Sequence, residues 1–474
     1  MEERIFQAVD IGTTKVAAIV AKQTANNKLE ILGIGTSPSF GVIRADVTNI
    51  SRTVDAIQKA VSEAEKQSGI PFKEVYVGIA GSHINSMQHR ASLTRKDYNE
   101  VISQKDIDKL IDETTRLPLP PGDMIIEVLP QDFKVDNNFQ VADPIGMLGT
   151  KVECNMHVVT GSTIAVNNII RCINEAGLSV KEVIMQPIAS AAAVLCKEEI
   201  ESGVALVDIG GGTTDIAVFV DGVIGHTAVI PFGGEIITED IKTGCRILKP
   251  TAESIKVQHG CTFTSENHEN IVITIPGLKD RPSKEISMKM LVGIIQARME
   301  EILDSVMHEI NISNLGEKLT CGVVFTGGGS QLKHLRQLAE YMTGYDIKIG
   351  LPNEHLAKTK VPNVDNPIYS TAIGLIIKGL EKEISEQTEV KKVKKHVENQ
   401  HIVDKPKEDL TKKPIVLEDN FEKEKDTQTK EKTAIEDESK KPKVSKLLER
   451  LSKKFTDFIG DDNLADFTDT DKNK

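Results

Sequence analysis

Apolar positions along the chain fall into short runs whose spacing predicts strands first and helices second. Val9-Asp-Ile-Gly-Thr-Thr-Lys-Val-Ala-Ala-Ile-Val20 is a β-rich run that ends in an acid, turns through polar residues and re-enters a second β-rich run at Val16. Val207-Asp-Ile-Gly-Gly-Gly-Thr-Thr-Asp-Ile-Ala-Val-Phe-Val220 repeats it, and deleting Gly211 and Gly212 aligns the copies almost residue for residue. Each copy predicts a hairpin with a polar, glycine-lined tip. Val323-Val-Phe-Thr-Gly-Gly-Gly-Ser330, followed by Leu332, Leu335, Ala339 and Met342, predicts a strand, a Gly-rich turn and an amphipathic helix. Between the hairpins, Val152, Cys154, Met156 and Val158 alternate with Lys151, Glu153, Asn155 and His157, the pattern of a half-buried strand. Ile107, Leu110 and Ile111 mark an amphipathic helix.

The carboxy-terminal part has a different pattern. Of 34 glycines only Gly460 lies after residue 380, which divides the 474 residues into a folded body and a tail. Residues 381–442 hold 15 Lys or Arg, 17 Asp or Glu, one aromatic (Phe421) and no glycine, too little apolar surface to offset the entropy of ordering. They are expected to be a disordered linker with a root-mean-square span of about 45 Å. From 443 to 460 Leu447, Leu448, Leu451, Phe455, Phe458 and Ile459 share one helical face, flanked by Lys446, Arg450, Lys453 and Lys454. That is the pattern of a helix lying in an anionic lipid interface. A helix that docks on protein is the rival reading. The last 14 residues, 461–474, carry five Asp against two Lys.

Composition narrows the function classes. The six cysteines form no C-x-x-C pair, which argues against a disulfide framework or a zinc ribbon and for a reducing cytosol. The amino terminus has no signal-peptide pattern and nowhere do 18 apolar residues run together, so neither secretion nor membrane spanning is expected. A net charge of -12 speaks against nucleic acid as a partner. His83, His89 and His157 lack metal-ligand spacing and read as surface or packing residues.

The repeated turn suits a nucleotide. Glycine lets backbone N–H groups approach phosphate oxygens, threonine hydroxyls add donors, and an aspartate at a strand end can hold hydrated Mg²⁺. An ordinary tight turn is the alternative for one copy, but turn chemistry does not demand Asp, Gly, Thr and Thr in that order twice. The two hairpins are expected to grip one triphosphate from opposite sides. The third glycine cluster could be a ligand-facing turn or mere close packing.

Taken in order, these motifs resemble the actin-like ATPase superfamily. Within it the chain is similar, from residue 5 to about 380, to the FtsA family of bacterial cell-division proteins. The specific signs lie in the long stretch between the first hairpin and Gln186: Gly78-Ile-Ala-Gly-Ser-His-Ile84, Val128-Leu-Pro-Gln-Asp-Phe-Lys-Val-Asp136 and Asp143-Pro-Ile-Gly-Met-Leu-Gly149. The resemblance implies an α/β fold of duplicated actin-like (ribonuclease H-like) halves around a nucleotide cleft. Residues 1–82 and 162–198 would form the first half, 83–161 an inserted small α+β subdomain, and 199–380 the second half, with an upper subdomain at about 230–315. It further implies connecting helices at Gln186-Pro-Ile-Ala-Ser-Ala-Ala-Ala-Val-Leu195 and Pro367-Ile-Tyr-Ser-Thr-Ala-Ile-Gly-Leu375.

Residue roles implied by the family follow position by position. ATP would be held by Asp10, Gly12, Thr13, Thr14 and Lys15 in one loop and by Asp208, Gly210, Gly211, Gly212, Thr213 and Thr214 in the other. Gly233, Gly234, Glu253 and Lys256 would embrace ribose and adenine, with Gly327, Gly328, Gly329 and Ser330 as the adenosine motif. Asp10 and Asp208 would hold Mg²⁺ through water, and Gln186 would orient the attacking water. Without the family, Glu253 and Lys256 read as an exposed i,i+3 pair. The resemblance also implies filaments on the cytoplasmic face of the cell membrane, anchored by Leu447, Leu448, Leu451, Lys454, Phe455, Phe458 and Ile459. The FtsZ carboxy-terminal peptide would be bound near Arg298, other division proteins would be partners, and hydrolysis would be slow or absent. A small-molecule kinase on the same fold is the alternative, though no substrate motif appears. A chaperone would need a folded substrate domain after residue 380.

Overall fold

The computed structural model describes residues 4–384 except 25–27, 97–98, 137–140, 142, 264–270, 278–281 and 360. Most of the linker, the amphipathic segment 443–460 with its seven proposed lipid contacts, and the acidic end therefore lie outside the described residues. In chain order the first half opens with strands β1 (Ile5–Ile11), β2 (Lys15–Gln23) and β3 (Leu29–Pro38), then a two-residue-strand hairpin, β4 (Val42–Ile43) and β5 (Asp46–Val47). Helix α1 (Ile50–Ser68) and strand β6 (Glu74–Ile79) follow. The predicted first hairpin is β1–β2, and nearly every residue of both strands is buried, as in a sheet covered on two faces.

Local sequence explains how α1 docks on this sheet. Its N-cap Asn49 accepts from the Arg52 amide and its C-cap Gly69 is left-handed, both ordinary helix ends. Its buried face is made of Thr53, Ala56, Ile57, Ala60, Val61 and Ala64. Those small residues meet glycines on β3: a Cβ at Gly35 would lie 1.8 Å from the Ala60 carbonyl oxygen. The free edge of β3 is also occupied, since Gln67 and Glu63 accept from the Ile34 and Thr36 amides at 3.0 and 2.7 Å.

The inserted unit contains β7 (Asn85–Thr94), α2 (Gln104–Thr114), β8 (Asp123–Val135) and β9 (Lys151–Ser162), with β9 central in a three-stranded antiparallel sheet. Ile107 and Leu110 of α2 join Val152, Cys154, Met156 and Val158 of β9 in its small core. The chain returns through α3 (Thr163–Glu175), β10 (Ser179–Met185) and α4 (Gln186–Val194). The first-half sheet runs β10-β6-β1-β2-β3.

Helix α5 (Lys197–Ser202) leads to β11 (Val204–Ile209), β12 (Thr214–Val220) and β13 (Val223–Ile230), then α6 (Gly234–Cys245) and α7 (Lys249–His259). Next come β14 (Val272–Ile275), β15 (Lys284–Ser287), the long α8 (Met288–Ile312), β16 (Val323–Thr326), α9 (Leu335–Thr343) and β17 (Ile347–Ile349). A 3₁₀ turn at Pro367–Tyr369 opens the last described helix, α10, residues 370–384. The second sheet runs β13-β12-β11-β16-β17. Its pairings repeat those of the first: two antiparallel hairpin contacts on one side of the founding strand, two parallel contacts on the other. The duplication read from two loops therefore extends to whole sheets, an actin-like arrangement of mixed α/β halves.

Two expectations need correction. His157 stands at a predicted solvent position of β9, yet it is 1% exposed. The reason is tertiary: the insert docks on β13 of the second half. Ser86 donates to the Thr227 carbonyl at 3.1 Å, Gln88 to Gly225 at 3.1 Å and Gln131 to Ile224 at 2.6 Å. Gln88 also lies 3.3 Å from His157 Nδ1, which leaves Nε2 to donate to Thr227 Oγ1 at 3.0 Å. Second, the amphipathic helix expected after the Gly-rich turn is present, but it starts beyond Leu332. Gly328–Gln331 form a 3₁₀ turn, His334 is left-handed (φ 63°), and α9 begins only at Leu335. Glycines carry little helix propensity, and their close packing, described below, holds this backbone elsewhere.

Burial, and then the neighbouring His226, push the His157 imidazole down to about 4; His226 in turn lies 3.2 Å from Glu309. The unfolded chain thus takes up this proton first, near 6.5. The associated stability is complete above that pH and is lost as pH falls toward 4. Between pH 7 and pH 5 the advantage of wild type over His157→Gln should shrink by about 2 kcal/mol in denaturant titrations. A constant difference would contradict the neutral buried imidazole.

Candidate functional site

The two hairpins of one pattern meet tip to tip. In β1–β2 the Gly12 amide donates to the Lys15 carbonyl at 3.0 Å, and in β11–β12 the Gly210 amide donates to the Thr213 carbonyl at 3.0 Å. A Cβ at Gly211 would lie 2.4 Å from Thr14 Cγ2, and one at Gly212 would lie 2.3 Å from Thr13 Oγ1. Only glycine permits this approach. Beside the contact opens a cavity of about 540 Å³, lined by both tips and by residues of α4, α6, α7, the Gly-rich turn and the start of α10. Backbone amides and Thr13, Thr14 and Thr213 hydroxyls in its wall are donors for an anion.

The same wall carries an excess of buried acids. Asp10, near the end of β1, accepts from the Gln186 side-chain amide at 3.0 Å. Burial raises its carboxyl to about 6, with Lys15 opposing and Asp208 adding to the rise. Asp208 at the end of β11 is raised by burial against hydrogen bonds from Ser190 and Thr371. Asp215 sits opposite Asp208 in the hairpin register. Burial first and Asp208 second push it well above the carboxylate range, and its Oδ1 has no protein partner. Lys15, driven down to about 8 by burial, is the cation that Asp10 and Asp208 share; it donates to the Ile368 carbonyl and lies 4.3 Å over the Tyr369 ring. A cation brought in with its own waters would relieve this surplus of acid. Among the described residues no cluster of three His, Cys, Asp or Glu side chains is set to ligate a metal directly. Asp10 and Asp208, carboxyls in the cavity wall, are of the kind that accepts hydrogen bonds from the waters of a hydrated ion.

At the other end of the cavity, Gly233 caps α6 and Gly234 begins it. Lys256 of α7 donates to the Gly234 carbonyl and to Thr238 Oγ1, both at 2.8 Å, and lies 2.8 Å from Glu253. The i,i+3 pair exists, and both members also face the cavity. Ile237, Val257 and Leu332 supply an apolar wall there. Gly327, Gly328 and Gly329 close the site from β16. Two of them are required by packing: a Cβ at Gly327 would lie 2.1 Å from Asp208 Oδ1, and one at Gly329 would lie 2.3 Å from Ile209 Cγ2. Gly328 has room.

Not every candidate reaches the cavity surface. Thr214, Gly233 and Ser330 stand behind the wall: Thr214 donates to the Phe232 carbonyl at 2.9 Å, Ser330 to Gly327 at 2.8 Å, and Gly233 presses on the Gly210 and Thr213 carbonyls. Their place is a correction to direct ligand contact; strand alternation sends Thr213 into the cavity and Thr214 away from it. Arg298 lies apart on α8, where it pairs with Asp240 of α6 at 2.5 and 3.1 Å and with Glu301. Sequence reading placed Asp215 at the end of the second phosphate loop and Ser190 and Thr371 in the connecting helices, and gave none of them a role. Asp215 was visible as the second acid of the longer loop; the two hydroxyls were hidden among small residues of the connecting helices.

Comparison with known proteins gives consistent matches. Residues 205–374 match the family model described as Cell division protein FtsA, and residues 81–160 match the SHS2 domain inserted in FTSA. The chain is 38% identical over 380 residues to Cell division protein FtsA of Pseudomonas aeruginosa, covering 80% of this chain and 90% of that one. It is 38% identical over 376 residues to the Neisseria meningitidis serogroup B protein of the same name, covering 79% and 90%. Among solved structures, a chain of the PilM-PilN type IV pilus biogenesis complex superposes with a TM-score of 0.55 at 14% identity, over 79% of this chain and 98% of that one.

Tip-to-tip packing makes a contrast between two glycines of one cavity. Gly212→Ala should cost about 1–3 kcal/mol, because Thr13 must move. Gly328→Ala should stay within about 0.5 kcal/mol. Thermal unfolding of the two variants checks this; equal effects would contradict the contact.

Proposed function

The chain belongs to the FtsA family of cell-division proteins, and we propose that it works as an ATP-driven, membrane-attached adaptor of the division ring. In this reading MgATP favours the closed arrangement of the two halves, and closed subunits polymerise on the cytoplasmic face of the membrane. The filament then holds FtsZ there by its carboxy-terminal peptide and offers a platform to other division proteins. The observation that carries the reading is the facing of two like hairpin tips beside a cavity whose buried acids outnumber its buried cations.

The chemistry follows from those residues. Amides of the Gly12–Lys15 and Gly210–Thr214 turns, with Thr13, Thr14 and Thr213, bind phosphate oxygens. Asp10 and Asp208 would hold Mg²⁺ through its waters, and the ion would supply positive charge against the phosphates. Glu253 and Lys256 lie where ribose and base would be embraced, beside the Gly-rich turn. Gln186, tied to Asp10 at 3.0 Å, would orient a water, but turnover is not needed. A nucleotide that binds the closed state more tightly than the open one shifts that equilibrium by binding alone. For FtsZ the proposed contact is Arg298, whose side chain is 25% exposed; Asp240 holds its Nε and Nη2, and a peptide carboxylate would compete with Glu301 for Nη1. Among the described residues no helix is long and apolar enough to cross a membrane. Attachment is assigned to the basic, apolar-faced segment 443–460.

Two experiments test the reading. The whole chain should pellet with anionic liposomes in MgATP, and a chain ending at Lys441 should stay in the supernatant; equal pelleting removes the membrane foot. Asp208→Ala should weaken ATP affinity in Mg²⁺ at least about tenfold, and unchanged affinity and polymerisation would remove its role.

A further inference from the structure

A small hydroxyl network at the crossing of the two connecting helices reaches the phosphate-facing loop and is unused by the reading so far. Helix α4 is rich in alanine and almost wholly buried, so Ser190, 0% exposed, is a polar group in a packed interface and must find a partner. The helices touch backbone to backbone: a Cβ at Gly374 of α10 would lie 1.8 Å from the Ala189 carbonyl oxygen. Close by, Ser190 Oγ and Thr371 Oγ1 stand 3.0 Å apart.

Both hydroxyls converge on one oxygen. Ser190 donates to Asp208 Oδ2 at 2.6 Å, and Thr371 lies 3.2 Å from the same atom. Each hydroxyl has one proton. Ser190 gives its proton to the carboxylate, so the Thr371 proton is shared between Ser190 Oγ and Asp208 Oδ2. On the other side Oδ1 lies where only glycine at 327 leaves room. The carboxylate is thus fixed by one residue from each connecting helix and by the Gly-rich turn. The neighbouring Thr326 and Ser370 hydroxyls, 2.7 Å apart, tie the start of α10 to β16 as well.

We propose that Ser190 and Thr371 are positioning residues that set the Asp208 carboxylate for its hydrated cation and link that carboxylate to the crossing of the two connecting helices. The proposal rests on the MgATP reading above. Relative movement of the halves must pass through that crossing, and it displaces the two donors with respect to Asp208. By the reciprocity of coupled equilibria, an ion held at Asp208 steadies the crossing as much as the crossing steadies the ion. Two hydroxyls that merely filled a buried interface would affect stability and leave cation dependence alone.

The test uses the full chain and the variants Ser190→Ala, Thr371→Val and Thr371→Ser. ATP affinity is titrated with Mg²⁺ and again in EDTA, and amide hydrogen exchange of α4 and residues 370–376 is followed in the nucleotide-free protein. Ser190→Ala and Thr371→Val should lower the ratio of the two affinities at least about fivefold, with EDTA affinity changed less than about twofold. Exchange at the crossing should rise in both. Thr371→Ser, which keeps the hydroxyl, should retain the wild-type ratio and so exclude a folding defect as the cause. A wild type with Mg²⁺-dependent affinity whose Ser190→Ala and Thr371→Val variants keep the same ratio overturns the coupling alone. A wild type with no Mg²⁺-dependent ATP affinity overturns the nucleotide reading, and the coupling with it.

Discussion

Three carboxyls, Asp10, Asp208 and Asp215, are buried around the meeting of two hairpin tips, with Lys15 as the cation beside Asp10 and Asp208. Taking that much acid out of water is costly, and the fold tolerates it only because the groups are raised toward their neutral form or hydrogen-bonded. A positively charged guest at these carboxyls would offset that cost. The glycines, the threonines and the contact of the tips are arranged around this imbalance.

The rest of the molecule keeps the tips in register. Each tip ends the most buried hairpin of its sheet, so it inherits the rigidity of a packed core. The chain passes between halves through α4 and α10, whose backbones touch at Gly374 and Ala189. The insert adds a second tie, with side chains of β7, β8 and β9 bonded to β13. Any movement of the halves must accommodate that tie too.

What could be read in advance was what local chemistry dictates. Asp-Ile-Gly followed by paired threonines within β-rich runs specified both hairpins, and their likeness pointed to the duplicated sheets. The strand of alternating residues at Lys151–Val158 and the helix bearing Ile107 and Leu110 were legible for the same reason. Missed features depend on partners distant in sequence. His157 looked solvent-facing because nothing local announces the docking of β13. Ser190 looked like one more small helical residue, yet its partners are Asp208 and Thr371, 18 and 181 positions away. The strand, Gly-rich turn and helix were legible in that order, but the late start of the helix was not, since the needs of Asp208 and Ile209 for space set the turn's backbone. Thr214 and Ser330 carry the right chemistry on the wrong side of the wall.

The most direct measurement is a structure of the whole chain with a slowly hydrolysed ATP analogue and Mg²⁺. The account predicts one triphosphate within hydrogen-bond reach of amides from both turns, Gly12–Lys15 and Gly210–Thr214, with the ion's waters on Asp10 and Asp208. A nucleotide bound against one hairpin alone, or an ion remote from both aspartates, would contradict it.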